Sequence, residues 1–405
     1  MIGTLYKALS GLEGFSKGLD VMGNNISNLN TPGFKGESIS FRDLFYRYSA
    51  SGGGSGGAQV GQGVQTSSSR INFTQGDFQA TGNPLDIAID GNGFLVLKHG
   101  NDIFYTRAGQ LQIDSSGFLV DQSTGYRVQG LAGSSQLVDI NINALENSAP
   151  LATTTVTLNG NLTRNLGGTG TAIHQIDNVT VYDSVGTSHT LQLQFSSSAP
   201  GIWTVNVFEP SVSTTATIGT GQIQYQGDGS PVTGFSTVSF TLTPAGDPAS
   251  NIVLDFGAPG SFAGTTGFSA GTTSTAQIGT QDGYGPGTLT KSTLNSNGTL
   301  ELIYSNGQTA NGPRLALAWF QNLQALIPRG QSLFVDGSGQ GAAYAHPNEG
   351  VMGQVVSGKI ELSNVALTEQ FTEMIIIQRG YQASSQITSV VNEMMQQLLN
   401  IQNQR

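Results

Sequence analysis

Two stretches of helical rhythm enclose a long middle that reads as short strands. Ile2, Leu5, Leu9, Leu12, Phe15, Leu19, Met22, Ile26 and Leu29 recur at steps of three or four. So do Leu367, Phe371, Met374, Ile377, Tyr381, Ser384, Ile387, Val391, Met394, Leu398 and Ile401. Steps of that size put side chains on one face of an α-helix. The first helix is expected to run roughly 40 Å at 1.5 Å per residue. Each seam is narrow and each helix long, which is the pattern of two helices that pair as a coiled coil. Ser363 or Asn364 is expected to cap the second helix, with Glu369 favouring its positive end. Gly380 is expected to weaken it by about 1 kcal/mol relative to alanine. Low-charge linkers, Ser51–Gly63 and Gly337–Gly350, are expected to separate both helices from the β region.

From Pro84 to Gly130 the runs LDIAID, FLVLK, IFYTR, AGQLQID and FLVDQ alternate with Gly, Asn, Asp and Ser turns, the pattern of a meander or barrel-like β domain. From Leu151 to Ile278 the texture shifts to more Thr and Ser, and IDNVTVYD, HTLQLQF, GIWTVNVFE, VSFTLTP and NIVLDF read as strands of a second sandwich or barrel. Near Asp282 the first texture resumes, with a hairpin around Ser296-Asn297-Gly298. The expected architecture is mainly β with two terminal helices, the β domains nested between them. Its expected segments are an N-terminal helix in 1–35, a connector in 36–70 and an inner β domain in 71–148 and 282–336. An inserted outer β domain fills 149–281, a second connector 337–362, and the C-terminal helix 363–405.

The 16 Lys and Arg against 26 Asp and Glu give a net charge of −10, which argues against nucleic acid as a partner. Only 10% of the 405 residues are charged, which suits a subunit whose surface is largely covered by neighbours or a β-rich protein outside the cytoplasm, and fits an ordinary soluble β protein of low charge about as well. With no cysteine, disulfides and thiolate metal sites are excluded. Lys7, Glu13, Lys17 and Asp20 interrupt the N-terminal apolar residues, so no cleavable signal is visible. No apolar run of about 18 residues is present, and no membrane insertion is expected.

Nothing in the chain is placed for chemistry. His99, His174, His189 and His346 are scattered with no acidic cluster beside them and read as surface or turn residues. Gly53-x-Ser55-x-Gly57 and Gly267-x-Ser269-x-Gly271 lack the strand before and the helix after that a nucleophile elbow requires. Asp90-Gly91-Asn92-Gly93 and Asp336-Gly337-Ser338-Gly339 lack the alternating acidic ligands of a calcium loop. No catalytic residue, metal or cofactor is expected, and the chain does not read as an enzyme.

The densest punctuation is MGNNISNLNTPGFK, Met22 to Lys35, where Pro32-Gly33 stops a helix and Asn side chains offer both donors and acceptors to nearby backbone. Asn24, Asn25, Asn28, Pro32, Gly33, Phe34 and Lys35 are expected to form a junction between the inner helices and the β shell. This run resembles the start of bacterial flagellar rod and hook axial proteins. Ser363-Asn364-Val365, Glu373-Met374-Ile375, Gln378-Arg379-x-Tyr381-Gln382 and Asn392-Glu393-Met394 resemble their far end. Leu85-Asp86-Ile87-Ala88-Ile89, Tyr105-Thr106-Arg107-x-Gly109 and Asp282-Gly283-Tyr284 look most like the hook branch of that family. The resemblance covers roughly half the chain, with little in Leu151 to Ile278. Ser27 stands where alanine is usual in the family, and Ala366 where an acidic residue is usual.

The resemblance implies a hook subunit, a structural protein that forms a helical homopolymer. The polymer is a curved, flexible tube that passes torque from motor to filament. It implies flagellar rod, hook cap and hook–filament junction proteins as partners, export by the type III apparatus, and an extracellular place in the flagellum. Leu5, Leu9, Leu12, Leu19, Met22 and Ile26 on one helix, with Leu367, Phe371, Met374, Tyr381, Val391, Met394, Leu398 and Ile401 on the other, are expected to be assembly seams. A distal rod or junction subunit is the nearest alternative, and a secreted adhesin or cell-wall enzyme a more distant one.

Overall fold

The computed structural model describes residues 2–44, 46–49, 58–133, 136–165 and 172–403. It divides into two compact units. Unit 1 comprises Met1–Ala144, Ser292–Leu302 and Asn311–Arg405, and unit 2 comprises Leu145–Lys291 and Ile303–Ala310. The fold is mainly β with a helix at either end, α1 at Ile2–Ser27 and α2 at Leu367–Asn403.

In unit 1 the two helices lie against each other, and small residues let them approach. A Cβ added at Gly11 would meet Ser384, one at Gly18 would meet Ile377 at 3.0 Å, and one at Gly380 would meet the Phe15 ring at 2.4 Å. Gly380, expected only to weaken α2, is therefore the hollow that admits Phe15. The pairs run in opposite chain directions, so the hairpin is antiparallel. Ser363 and Asn364 do not cap α2: Ser363 Oγ accepts from Val365 N–H and Asn364 Oδ1 from Gly36 N–H. The reason is that α2 starts at Leu367, while Asn364 is used to tie two chain segments together. Glu369 does lie in the first turn.

The expected linkers are structured where they are described. Glu37–Ser38, Phe41–Asp43 and Tyr46–Ser49 pair antiparallel with Arg70–Ile71, Val64–Thr66 and Ala58–Gly61 respectively, making one long two-stranded ribbon. Residues 51–57 of the Gly-rich stretch lie outside the described residues. The ribbon packs on α1, with Phe41 against Phe15 (ring centroids 5.4 Å) and Ser10 Oγ accepting from Val64 N–H. Within Gly337–Gly350, Ala343–Ala345 likewise joins the sheet by pairing with Leu317–Trp319.

The main sheet of unit 1 runs Leu111–Ile113, Leu119–Asp121, Arg127–Ala132, Phe94–His99, Asp102–Thr106, Leu333–Asp336, Leu326–Pro328. Its core gathers Phe94, Val96, Tyr105, Ala316, Ala318 and Phe334. Two short ladders fasten the returning chain to its beginning, Gln354–Ser357 on Ile87–Asp90 and Lys359–Glu361 on Phe78–Ala80.

Unit 2 holds a four-stranded meander, Ala172–Tyr182, Ser188–Ala199, Ile202–Glu209 and Ser213–Gln224, and a five-stranded sheet around Thr155–Asn161. Alternate residues of both are buried in one core that includes Leu193, Phe195, Trp203, Val205, Phe240 and Leu254. The five strands read from the sequence in this region all fall on strands of these two sheets.

His189 corrects the expectation of surface or turn histidines with no acidic cluster beside them. Its Nδ1 lies 2.8 Å from Glu209 Oε1 and its Nε2 3.1 Å from Asp183 Oδ2, with both carboxylates buried. Two carboxylates that only accept require a proton on each ring nitrogen. Burial works against the charged ring, but the bonds to Glu209 and Asp183 outweigh it and hold the histidine above its ordinary value. A group raised on folding contributes stability that is complete below its unfolded value and is lost as pH rises through its folded value. The melting temperature of unit 2 is therefore expected to fall as pH climbs through and above neutrality, and a His189→Gln variant to show a flatter profile there. Trp203 fluorescence in a Trp319→Phe background reads it, because each unit contains one of the two tryptophans. Parallel profiles for the two proteins would refute it.

Candidate assembly site at the helix junction

The Asn-rich run leaves α1 and turns into unit 1, and its residues divide the work. Asn25 is buried, its Nδ2 donating to Glu37 O (2.7 Å) and to Gln370 Oε1 of α2 (2.8 Å), while its Oδ1 accepts from Glu37 N–H. One side chain thus ties the end of α1, the ribbon and the start of α2. Asn28 turns back on the helix, donating to Asn24 O and accepting from Thr31. Asn24 is exposed. None of these Asn residues adopts a left-handed backbone, which falls to Gly33 at φ 66°. A Cβ at Gly33 would lie 2.4 Å from Ala108 N, so a side chain is excluded there by contact as well as by backbone. The Pro32 carbonyl accepts from Ser332 Oγ, and Phe34 is half-buried.

Lys35 is buried, and its partner comes from the far end of the chain. Nζ donates to Glu361 Oε1 at 2.5 Å and to Thr74 O at 2.9 Å. Glu361 Oε1 also accepts from Gly76 N–H, and Glu361 Oε2 faces Arg107 Nη1 at 3.4 Å. Arg107 reaches on to Ile89 O and Gly91 O and lies over the Phe94 ring. Burial lowers the Lys35 amine from its ordinary value, and Glu361 opposes that shift. Two buried cations share one buried carboxylate, so Glu361 is the member neither cation can spare. Asn364 finishes the knot, donating to Asn72 O and Thr74 O.

Half of the fourteen residues expected to form the helix seams are exposed. Met22 and Val391 are buried, Leu5, Leu12, Leu19, Ile26 and Met374 half-buried. Leu9, Leu367, Phe371, Tyr381, Met394, Leu398 and Ile401 are exposed, Ile401 by 64%. The contact itself uses Gly11, Phe15, Gly18, Ile377, Gly380 and Ser384. A search for large apolar residues passes over a stripe of glycines. What remains is a broad apolar face on α2, joined by Tyr6 and Leu9 on α1, that the described residues leave exposed. No described helix is long and apolar enough to cross a membrane, and no group of three or more metal-ligating side chains is found among the described residues.

Comparison with known proteins matches the chain in four places. Residues 5–35 fit the family described as flagella basal body rod protein, and 88–164 the flagellar hook protein FlgE/F/G D1 domain. Residues 169–284 fit the flagellar basal body protein FlaE D2 domain, and 356–401 the flagellar basal body rod FlgEFG protein C-terminal region. The match to 169–284 extends the resemblance into the stretch where the motifs had run out. The flagellar hook protein FlgE of Borreliella burgdorferi is 32% identical over 100% of both chains. That of Salmonella typhimurium is 30% identical over 98% of this chain and 99% of its own. The flagellar basal-body rod protein FlgG of Bacillus subtilis is 24% identical over 99% of each, so length does not separate rod from hook, whereas identity favours the hook. On these whole-length identities the chain belongs to the flagellar hook protein family.

Proposed function

We propose that the protein is the structural subunit of the bacterial flagellar hook, a curved and flexible tube that acts as a universal joint between motor and filament. The observation that carries this reading, beyond family membership, is the uncovered apolar surface of α1 and α2 in a chain with 10% charged residues. Exposed aliphatic area of this kind gains about 25 cal/mol per Å² when neighbours cover it. In this reading the helices line the tube, unit 2 is the outer domain inserted into unit 1, and the junction residues Asn24 to Lys35 carry the chain from one layer to the other. The subunit is extracellular and acts as scaffold, with rod, cap and junction proteins at the two ends of the polymer and the type III apparatus delivering it without signal cleavage.

Electron microscopy of the polymer grown from purified protein tests the reading. A short curved tube is expected, a straight tube would assign the protein to the rod, and no polymer would overturn both. Leu398→Asp is expected to raise the concentration needed for polymerisation roughly tenfold or more, since burying a leucine is worth about 1.5–3 kcal/mol. Trp203 and Trp319 fluorescence should stay native in that variant, because Leu398 is 49% exposed.

A further inference from the structure

α2 outruns α1. Gly11 faces Ser384, Phe15 faces Gly380, Gly18 faces Ile377 and Asn25 bonds Gln370, and the residue numbers of each pair add to 395. That register sets Ile2, where α1 begins, opposite Glu393, while α2 continues to Asn403, about 15 Å further at 1.5 Å per residue. The stripe of α2 that receives α1, marked by Ile377, Ser384 and Val391, continues in step through Leu398. In this overhang Leu398, Leu399 and Ile401 are 49%, 59% and 64% exposed. No residue from Met394 to Asn403 is charged.

At the other end of the helix pair, Asn24, Asn28 and Thr31 edge a cavity of about 390 Å³ whose wall includes Phe34, Ile71 and Leu333. Its far rim holds Gln331 at φ 52° and Ser332 at φ 57°, two consecutive non-glycine residues in the left-handed region. Such strain persists where the surroundings enforce it and gathers at places that grip a partner. Here Ser332 is held on both sides, donating to Pro32 O and accepting from Thr106 Oγ1 at its carbonyl. Lys35 in the wall is already paired with Glu361, Glu37 adds one carboxylate to the lining, and polar uncharged side chains edge the α1 side.

Resting on the polymer reading above, we propose that this cavity is a socket for the overhanging end of α2 from a second copy of the chain. Leu398 and Ile401 seat on Phe34, Ile71 and Leu333, and the helix amides meet those of Asn24 and Asn28. The match is one of kind, an uncharged helix end with an apolar stripe against an amide-edged apolar hollow. It is also one of position, because the two features lie at opposite ends of one helix pair. A contact between two different patches is heterologous and propagates along a line of subunits instead of closing a dimer.

The absence of cysteine makes the test clean. Asn24→Cys and Leu398→Cys proteins are mixed, polymerised as minor components among unmodified subunits, and oxidised. A covalent dimer containing one of each is expected in the polymer and absent from the same mixture kept unpolymerised, since a disulfide forms only when the two Cα atoms come within about 7 Å. Gln386→Cys, exposed but within the paired part of α2, is expected to give no such dimer with Asn24→Cys. A polymer without the mixed dimer, one in which Leu398→Cys joins only to itself, or equal crosslinking without polymer would overturn the socket. Failure of unmodified protein to polymerise would instead remove the reading on which it rests, and microscopy shows that separately.

Discussion

Glu361→Gln is expected to destabilise unit 1 by about 3–5 kcal/mol, the cost of leaving a buried charge without its partner. The carboxylate receives Lys35, Arg107 and Gly76 N–H within a fully enclosed site, its own side chain being 0% exposed. Glutamine keeps the shape but sets two cations against a neutral amide whose NH₂ is itself a donor. Replacing Glu361 by Leu together with Lys35 by Met is expected to recover part of the loss, because it removes one of the cations along with the anion. Chemical denaturation followed through Trp319, with Trp203 changed to phenylalanine, isolates unit 1. A loss below 1 kcal/mol would mean that water already solvates the cluster and that the junction is not held by it.

Gly109→Ala is the second large effect. A Cβ there would sit 1.8 Å from the Ile87 carbonyl oxygen, and that same backbone stretch is bonded, Ile87 N–H donating to Gly109 O at 2.8 Å. The obstacle is main chain, so no rotamer change relieves it. The loss is expected to be about 3 kcal/mol, the upper part of the range for overpacked sites. Because Arg107 lies two residues away, its bond to Glu361 should lengthen as well, and Gly109→Ala combined with Glu361→Gln should cost less than the sum of the two. Gly100→Ala separates clash from backbone strain, since Gly100 has φ 61° with open space around it and should cost only about 1–2 kcal/mol.

The parts of the fold that were legible in the sequence are those whose signal is local. Val205 and Val207 alternate with Thr204 and Asn206 along one strand, and period two reports the buried face without knowledge of what covers it. The helices were legible for the same reason. Their contact was not, because a pattern search weighs Leu9 and Leu398 heavily and Gly11, Gly18 and Gly380 not at all, while close approach needs the glycines. The Ser51–Gly63 stretch reads as a linker by composition, yet Ala58–Gly61 completes a ribbon with Tyr46–Ser49, since pairing across a hairpin overrides weak strand propensity. The charged knot was only partly legible. Lys35 stands in the junction run and Arg107 in a motif of the resemblance, but they and Glu361 are far apart in sequence, so their pairing, and Glu361 altogether, left no local signal. His189 was similarly silent, because Glu209 reaches it from another strand.

Lys35 and Glu361 lie 326 residues apart along the chain, and that distance governs when the molecule can finish folding. Loop-closure entropy rises only about 0.6 kcal/mol for each doubling of length, so the separation is no obstacle at equilibrium. Its effect is on order. The meander strands between Phe94 and Thr106 pair with near neighbours and can form early, whereas Lys359–Glu361 on Phe78–Ala80 must wait for nearly the whole chain. Until then Lys35 has no carboxylate to meet and Asn25 no Gln370. A nascent chain therefore keeps its first segment open, and the knot closes only once Glu361 has been made.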